Sequence, residues 1–183
     1  MYQNFWHKQV LRKSKMKKLL TATILGGLVL ATIASPTQAA TPKVSATVKA
    51  QLIYLIQEEQ LARDIYAALA KKGISQKFSN ITSSEQTHMN AMAAVLKTYG
   101  IANPTTGAKA GVYKDAKLKA LYKTLMAKAA KSPADAIAVG VLIEETDIAD
   151  INKLMKSVTQ DDIKNALELL LSGSEKHLAA FKQ

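Results

Sequence analysis

Ser84-Glu85-Gln86-Thr87-His88-Met89 sets a carboxylate and an imidazole three residues apart. On a helix that spacing puts both on one face, one turn from each other. The flanking pattern is helical: Phe78, Ile81, Met89, Met92, Val95 and Leu96 recur at three- and four-residue steps. Glu85 and His88 interrupt that apolar stripe instead of lying opposite it. An inward carboxylate needs a partner or a metal, because burying it unpaired is costly. This helix is expected to begin after Ser75 and to end at Gly100.

Working outward, the same interruption recurs on three more helices. Ser45 to Lys72 carries a stripe of Leu52, Leu55, Ile56, Ala62, Ile65, Tyr66 and Leu69, with Glu59 inside it and Gly73 as the stop. Ser132-Pro133 supplies an N-cap and a proline at the first helical position. The helix it opens runs to about Ser157 and contains Glu144-Glu145-Thr146-Asp147. Thr159-Gln160-Asp161-Asp162 approximates a capping box, with Asp in place of Glu or Gln. The last helix follows it to the chain end, loosened at Ser172-Gly173, and contains His177. Asp115 caps a shorter helix, Lys117 to Lys131, within the stretch of about 30 residues that separates the second long helix from the third. No strand pattern and no repeat is found. Short connections make the first two and the last two long helices antiparallel hairpins. The expected fold is all-α, a four-helix bundle with one long crossover carrying a short extra helix.

Spacing tests whether the interruptions meet. In an antiparallel hairpin, residues equidistant from the turn share a height. Glu59 and Glu85 are centred on residue 72, beside Gly73. Glu144 and His177 are centred between Gln160 and Asp161, beside the second turn. Each pair therefore faces across its own hairpin. Several carboxylates facing one another without cations would repel, whereas carboxylates with imidazoles can hold metal ions, favouring Fe or Mn over ions that prefer soft ligands. Taken singly, Glu58-Glu59 and Glu144-Glu145 also fit solvated helix faces, and His88 fits a structural histidine. Their combination in register favours the metal.

The N-terminus reads as a targeting segment. Lys17-Lys18 precede the apolar run Leu19 to Ile33, and small residues at Thr37 and Ala39 mark a cleavage site. The run is shorter than the ~20 residues of a membrane span. Residues 1–39 are expected to be a signal peptide, with 1–15 upstream of the true start if translation begins at Met16, and residues 40–183 the mature domain. No stable membrane insertion is expected after cleavage, and the location is periplasmic or extracellular. The net charge of +11 falls to +5 once the six basic residues of that segment are set aside. Lysines scattered through the rest suit solubility, and nucleic acid is not an expected partner. The chain has no cysteine, which excludes disulfides, thiolate metal sites and iron–sulfur clusters.

The motifs resemble a known family. Glu58-Glu59-Gln60-Leu61-Ala62-Arg63-Asp64-Ile65-Tyr66 resembles the first-helix motif of ferritin-like proteins, where a ligand Glu is followed seven residues later by a Tyr. Glu59-x-x-Ala62-Arg63 is similar to the rubrerythrin version. With Ser84-Glu85-x-x-His88-Met89, Ile143-Glu144-x-x-Asp147-Ile148-x-Asp150 and Gly173-Ser174-x-x-His177-Leu178-x-x-Phe181, the chain closely resembles the ferritin-like family known as domain of unknown function 2202. The likeness covers about residues 50–182. It implies a ferritin-like four-helix bundle with a di-iron-type site, held by Glu59, Glu85, His88, Glu144 and His177. One departure stands out. Rubrerythrins and bacterioferritins carry Glu-x-x-His on the last helix too, and here Ser174 stands three before His177. Asp147, the mirror of Ser174 across the hairpin, is a candidate for the missing carboxylate.

These readings lead to an exported di-metal protein, with two Fe, or Fe and Mn, as the cofactor. As an oxidoreductase it would act with O₂ or peroxide on Fe(II) or a small reductant, with Tyr66 two turns from Glu59 tuning the site. Any electron donor must be external, since no cysteine pairs exist to hold a second iron centre. A homodimer is compatible with the sequence. Two other classes stay open: a non-enzymatic metal-binding or sensing protein of the cell envelope, and a purely structural bundle.

Overall fold

The computed structural model describes residues 41–183, which form five helices and, among the described residues, no strand. The expected signal peptide lies outside them. They are α1 (Ala46–Lys71), α2 (Gln76–Thr98), α3 (Ala116–Ala129), α4 (Pro133–Met155) and α5 (Asp161–Lys182). Four starts are capped by side chains that accept an orphan backbone N–H: Ser45 from Val48, Ser75 from Lys77, Asp115 from Lys117 and Leu118, and Ser132 from Asp135. α1 and α2 each end just before a glycine in the left-handed region, Gly73 at φ 68° and Gly100 at φ 62°.

Two expectations for α5 are corrected. Its N-cap, Gln160, makes no side-chain capping bond, so there is no capping box. The Asp162 carboxylate instead accepts from the Tyr99 hydroxyl at the end of α2, at 2.8 Å. Nor is α5 loosened at Ser172-Gly173: the helix runs unbroken through both residues.

The four long helices form a ring. α1 packs on α2 and α4, and α5 packs on α2 and α4. α3 lies outside that ring, against α1 and α4. The directions follow from which residues share a core. Val48, Leu52 and Ile56, early in α1, cluster with Leu96 and Tyr99 at the end of α2, with Leu154 at the end of α4, and with Ile163 and Leu167 at the start of α5. Leu69, late in α1, clusters with Phe78 at the start of α2, Ala136 at the start of α4 and Phe181 at the end of α5. Both hairpins are therefore antiparallel, and α2 and α4 run the same way. The crossover must travel the length of the bundle to allow this.

Side chains of α1 anchor that crossover. Gln57 Oε1 accepts from the backbone N–H of Lys114 and of Asp115, both at 3.0 Å. Asp64 Oδ2 accepts from Gly111 N–H and from the Tyr113 hydroxyl, each at 3.0 Å. The two apolar clusters do not merge into one. Between them lies a buried layer of Glu59, Glu85, His88, Glu144, Asp147, Ser174 and His177. Burial of each large apolar side chain stabilises by about 1.5–3 kcal/mol, and the half-cores above and below sustain a layer that would not pack alone.

Candidate metal centre

Every long helix contributes to the layer. α1 brings Glu59, α2 brings Glu85 and His88, α4 brings Glu144 and Asp147, and α5 brings Ser174 and His177. All are at most 7% exposed. The structure thus brings together all six residues singled out from the sequence as metal ligands.

They form two groups that share one residue. Glu59, Glu85 and His88 make the first, Glu85, Glu144 and His177 the second, and in each the facing ligand atoms lie within 4.8 Å of one another. His88 Nδ1 is 3.1 Å from Glu59 Oε2 and 3.1 Å from Glu85 Oε2. His177 Nδ1 is 2.8 Å from Glu85 Oε1 and 3.6 Å from Glu144 Oε2. The two rings stack at a centroid distance of 5.5 Å, tilted by 28°. Glu85 is the bridge, one oxygen toward each histidine.

The hydrogen bonding is incomplete in a way that fits cations. A single Nδ1–H on His88 cannot point at two carboxylates at once. His177 Nδ1 and Glu85 Oε1 are close but lie off the line of a hydrogen bond, and neither has another partner. Glu59 Oε1 and Asp147 Oδ1 are also buried without a partner. Buried polar atoms are nearly always satisfied. Four of the six unsatisfied atoms among the described residues, three oxygens and a ring nitrogen, gather in this one layer, the donor set of a hard-to-intermediate divalent ion; Gln51 Oε1 and Glu58 Oε2 lie outside it.

The electrostatics agree. Burial drives the Glu59 carboxyl well above its ordinary range, and the charges of Asp147 and Glu85 add to it. Burial likewise lifts Asp147 to about 8, against the hydrogen bond from Ser174. Glu144 is raised by burial too, although the neighbouring His177 opposes this. Burial alone would raise Glu85, but the close approach of the His177 and His88 rings outweighs it and holds the group near 2. For His177, burial works against the charged ring, yet Glu144 and Glu85 bring it up to about 9. Carboxyl groups this crowded can all ionise only beside added positive charge.

Three neighbours shape the layer. The Tyr66 hydroxyl donates to Glu144 Oε1 at 2.6 Å, so the tyrosine engages a carboxylate across the bundle on α4, not its own helix neighbour Glu59. Ser174 Oγ donates to Asp147 Oδ2, which leaves Oδ1 free. Asp147 thus sits at the expected height, outside both groups and partly occupied by the serine. The third, Gly173, was not recognised as functional from sequence. A Cβ there would collide with the Nε2 and Cε1 atoms of His88. Its absent side chain is the space the imidazole fills. Glu58 is also buried, with Oε2 unpartnered, and burial together with the charges of Asp147 and Asp150 pushes its carboxyl up to about 9.

A family model described as an uncharacterized protein domain, DUF2202, matches residues 48–183. The chain belongs to this family. All the residues of the buried layer fall inside the matched DUF2202 segment. The chain is 43% identical over 138 residues to the uncharacterized protein MJ0754 of Methanocaldococcus jannaschii, across 75% of each sequence. The crystal structure of the hypothetical protein MJ0754 from Methanococcus jannaschii aligns with a TM-score of 0.74 at 41% identity, covering 79% of this chain and 83% of that one.

Proposed function

We propose that this is a ferritin-like di-metal protein, exported from the cytoplasm, that binds two iron ions, or iron and manganese, and acts as an oxidoreductase with O₂ or peroxide. The observation that carries this reading is Glu85, shared between two buried Glu/His groups with its Oε1 otherwise unpartnered. Glu59, Glu85 and His88 would hold one ion, and Glu85, Glu144 and His177 the other, with Asp147 Oδ1 available to the second. When bound, such a pair supplies two redox-active centres able to pass electrons to a small oxidant. The protein's own residues position and insulate it. Tyr66 fixes Glu144 through its hydroxyl. The apolar clusters above and below close the bundle on either side of the layer. Electrons would come from Fe(II) or an external donor.

Anaerobic Fe(II) titration followed by hydrogen peroxide tests the proposal. Two ions per chain and peroxide-dependent Fe(II) oxidation well above the protein-free rate are expected. Glu85→Ala should remove both ions, because both groups use it. No stoichiometric uptake would sink the reading.

One observation favours a second reading, a metal-binding or sensing protein without turnover. Where a further carboxylate would complete the site, Ser174 stands and occupies an oxygen of Asp147. Two bound ions with peroxide-dependent oxidation no faster than the protein-free rate would select it. Export is tested separately: the intact mass of secreted protein should correspond to a chain starting near Ala40.

A further inference from the structure

α3 contributes nothing to the buried layer, yet it is folded closely onto the bundle beside it, with Leu118, Leu125 and Ala129 buried. Between α3 and the helices α1 and α4 lies a cavity of about 220 Å³. Its walls are Leu61 of α1, Leu118, Leu121 and Leu125 of α3, and Leu142 of α4. Glu58, Glu85, Glu144 and Asp147 also line it, so the cavity reaches the carboxylates of the metal layer. Leu142 and Thr146, both exposed, put another part of its lining at the protein surface.

The lining decides what fits. A leucine-walled space offers no hydrogen bonds along its sides, so water gains little there and an apolar molecule gains by leaving solvent. A leucine- and phenylalanine-lined cavity of about 150 Å³ stays dry and takes up benzene. The present one is larger, with room for a substituted ring or a short alkyl chain, but is smaller than the ~300 Å³ at which sites for drug-sized ligands begin. The apolar lining discriminates by charge. An anionic ligand would lose its hydration among leucines that offer no hydrogen-bond donor in return.

We propose that this chamber is the binding site for a small uncharged apolar molecule, seated between α3 and the carboxylates of the metal layer. Its role as a substrate site rests on the metal reading above, whereas its capacity to bind does not. α3 then sets specificity: Leu118, Leu121 and Leu125 define the volume that an occupant can fill.

Toluene and benzoate, similar in size and opposite in charge character, are the probes. Protein loaded with Zn(II), which is diamagnetic, is titrated with each and followed by NMR, with metal content measured on the same samples. Toluene should show cross-relaxation to the methyl groups of Leu118 and Leu125, and benzoate, compared on metal-free protein where it has no ion to coordinate, should bind at least about 10-fold more weakly. Leu125→Trp should weaken toluene binding at least about 10-fold and leave metal stoichiometry unchanged. Leu121→Trp, at a half-buried position on the same wall, should do the same if the first variant does not fold. Absence of toluene contacts in the wild-type protein, equal binding of benzoate, or undiminished toluene binding in a folded Trp variant would overturn the proposal. Metal uptake without toluene binding removes the chamber and spares the metal reading. Toluene binding to protein that takes up no metal does the reverse.

Discussion

Gly173 shows how much a single position can decide. Replacing a mid-helix glycine by alanine ordinarily stabilises by about 0.5–1 kcal/mol, because the backbone loses less entropy on folding. At Gly173 the new Cβ would meet the His88 ring, and overpacking of this kind costs about 1–3 kcal/mol. The clash wins, so Gly173→Ala should lower the melting temperature. It should also displace His88 and reduce iron uptake from two ions per chain to about one. Unchanged stoichiometry would show that His88 does not hold a metal. In sequence, Gly173 reads only as a weak point in a helix, because the ring that fills its space belongs to a residue 85 positions away. The members of the layer are legible for the opposite reason: Glu59, Glu85, His88, Glu144 and His177 each break an apolar stripe, and that break is local. Tyr66 was legible as a neighbour of the site, but its partner, Glu144, was not. Tyr66→Phe leaves Glu144 Oε1 without its 2.6 Å bond, and a buried acceptor left unsatisfied costs about 1–3 kcal/mol. Urea denaturation of the metal-free protein should register that loss. Asp147→Ala should lose about one ion per chain, while Asp150→Ala, which removes a carboxylate outside the layer, should lose none. Two ions retained by the first variant would remove Asp147 from the ligand set and leave the other five.

At the scale of elements, capping chemistry made most of the fold readable. Asp115 and Ser132 cap as read from the sequence, Ser75 caps where the second helix was expected to start, and Ser45, read as the first residue of its helix, is that helix's N-cap. α5 departs from this because Asp162, which looks like part of a cap, is drawn into a tertiary bond with Tyr99. The crossover was legible in length and in its short helix, but not in how it is held. Its backbone donors at Gly111, Lys114 and Asp115 are satisfied by Asp64 and Gln57, residues 47 to 58 positions earlier. No local pattern announces such pairs. Asp64→Ala removes the acceptor for both Gly111 N–H and the Tyr113 hydroxyl. Each donor left buried and unpaired costs about 1–3 kcal/mol. Amide hydrogen exchange should therefore accelerate around residues 109–115 more than in α2 or α5. Uniform acceleration across the chain would mean that Asp64 supports the whole bundle and not the crossover.

The whole molecule carries a tension between its apolar clusters and the ionisable layer between them, and pH reads it out. For the metal-free protein the signs can be worked group by group. Glu58 at about 9 and Asp147 at about 8 keep their protons when folded, long after they would release them unfolded. Raised carboxyls of this kind make the folded state lose stability as pH climbs from their ordinary range of about 4 toward those values. The raised Glu59 and Glu144 act in the same direction. His177, raised to about 9, contributes stability that is complete below its ordinary value of about 6.5 and disappears as pH passes 9. Glu85, held near 2, contributes stability above about 4.5 that is lost only as pH falls toward 2. The raised carboxyls therefore act from about pH 4.5 upward, Asp147 to about 8 and Glu58 to about 9, and His177 joins them between about 6.5 and 9. Each proton retained by the folded state across that window lowers stability by about 1.4 kcal/mol per pH unit. The metal-free protein should be most stable near pH 4.5–5 and should melt progressively lower toward pH 9. Bound metal reverses the slope, because ions compete with those protons for the same oxygens and nitrogens and gain as pH rises. The rise in melting temperature on adding Mn(II), which resists air oxidation better than Fe(II), should therefore be small at pH 5 and large at pH 8. A metal-free melting temperature that climbs from pH 5 to 8 would show that the buried carboxyls are already ionised and paired without a cation, which would remove the physical need for metal in this bundle.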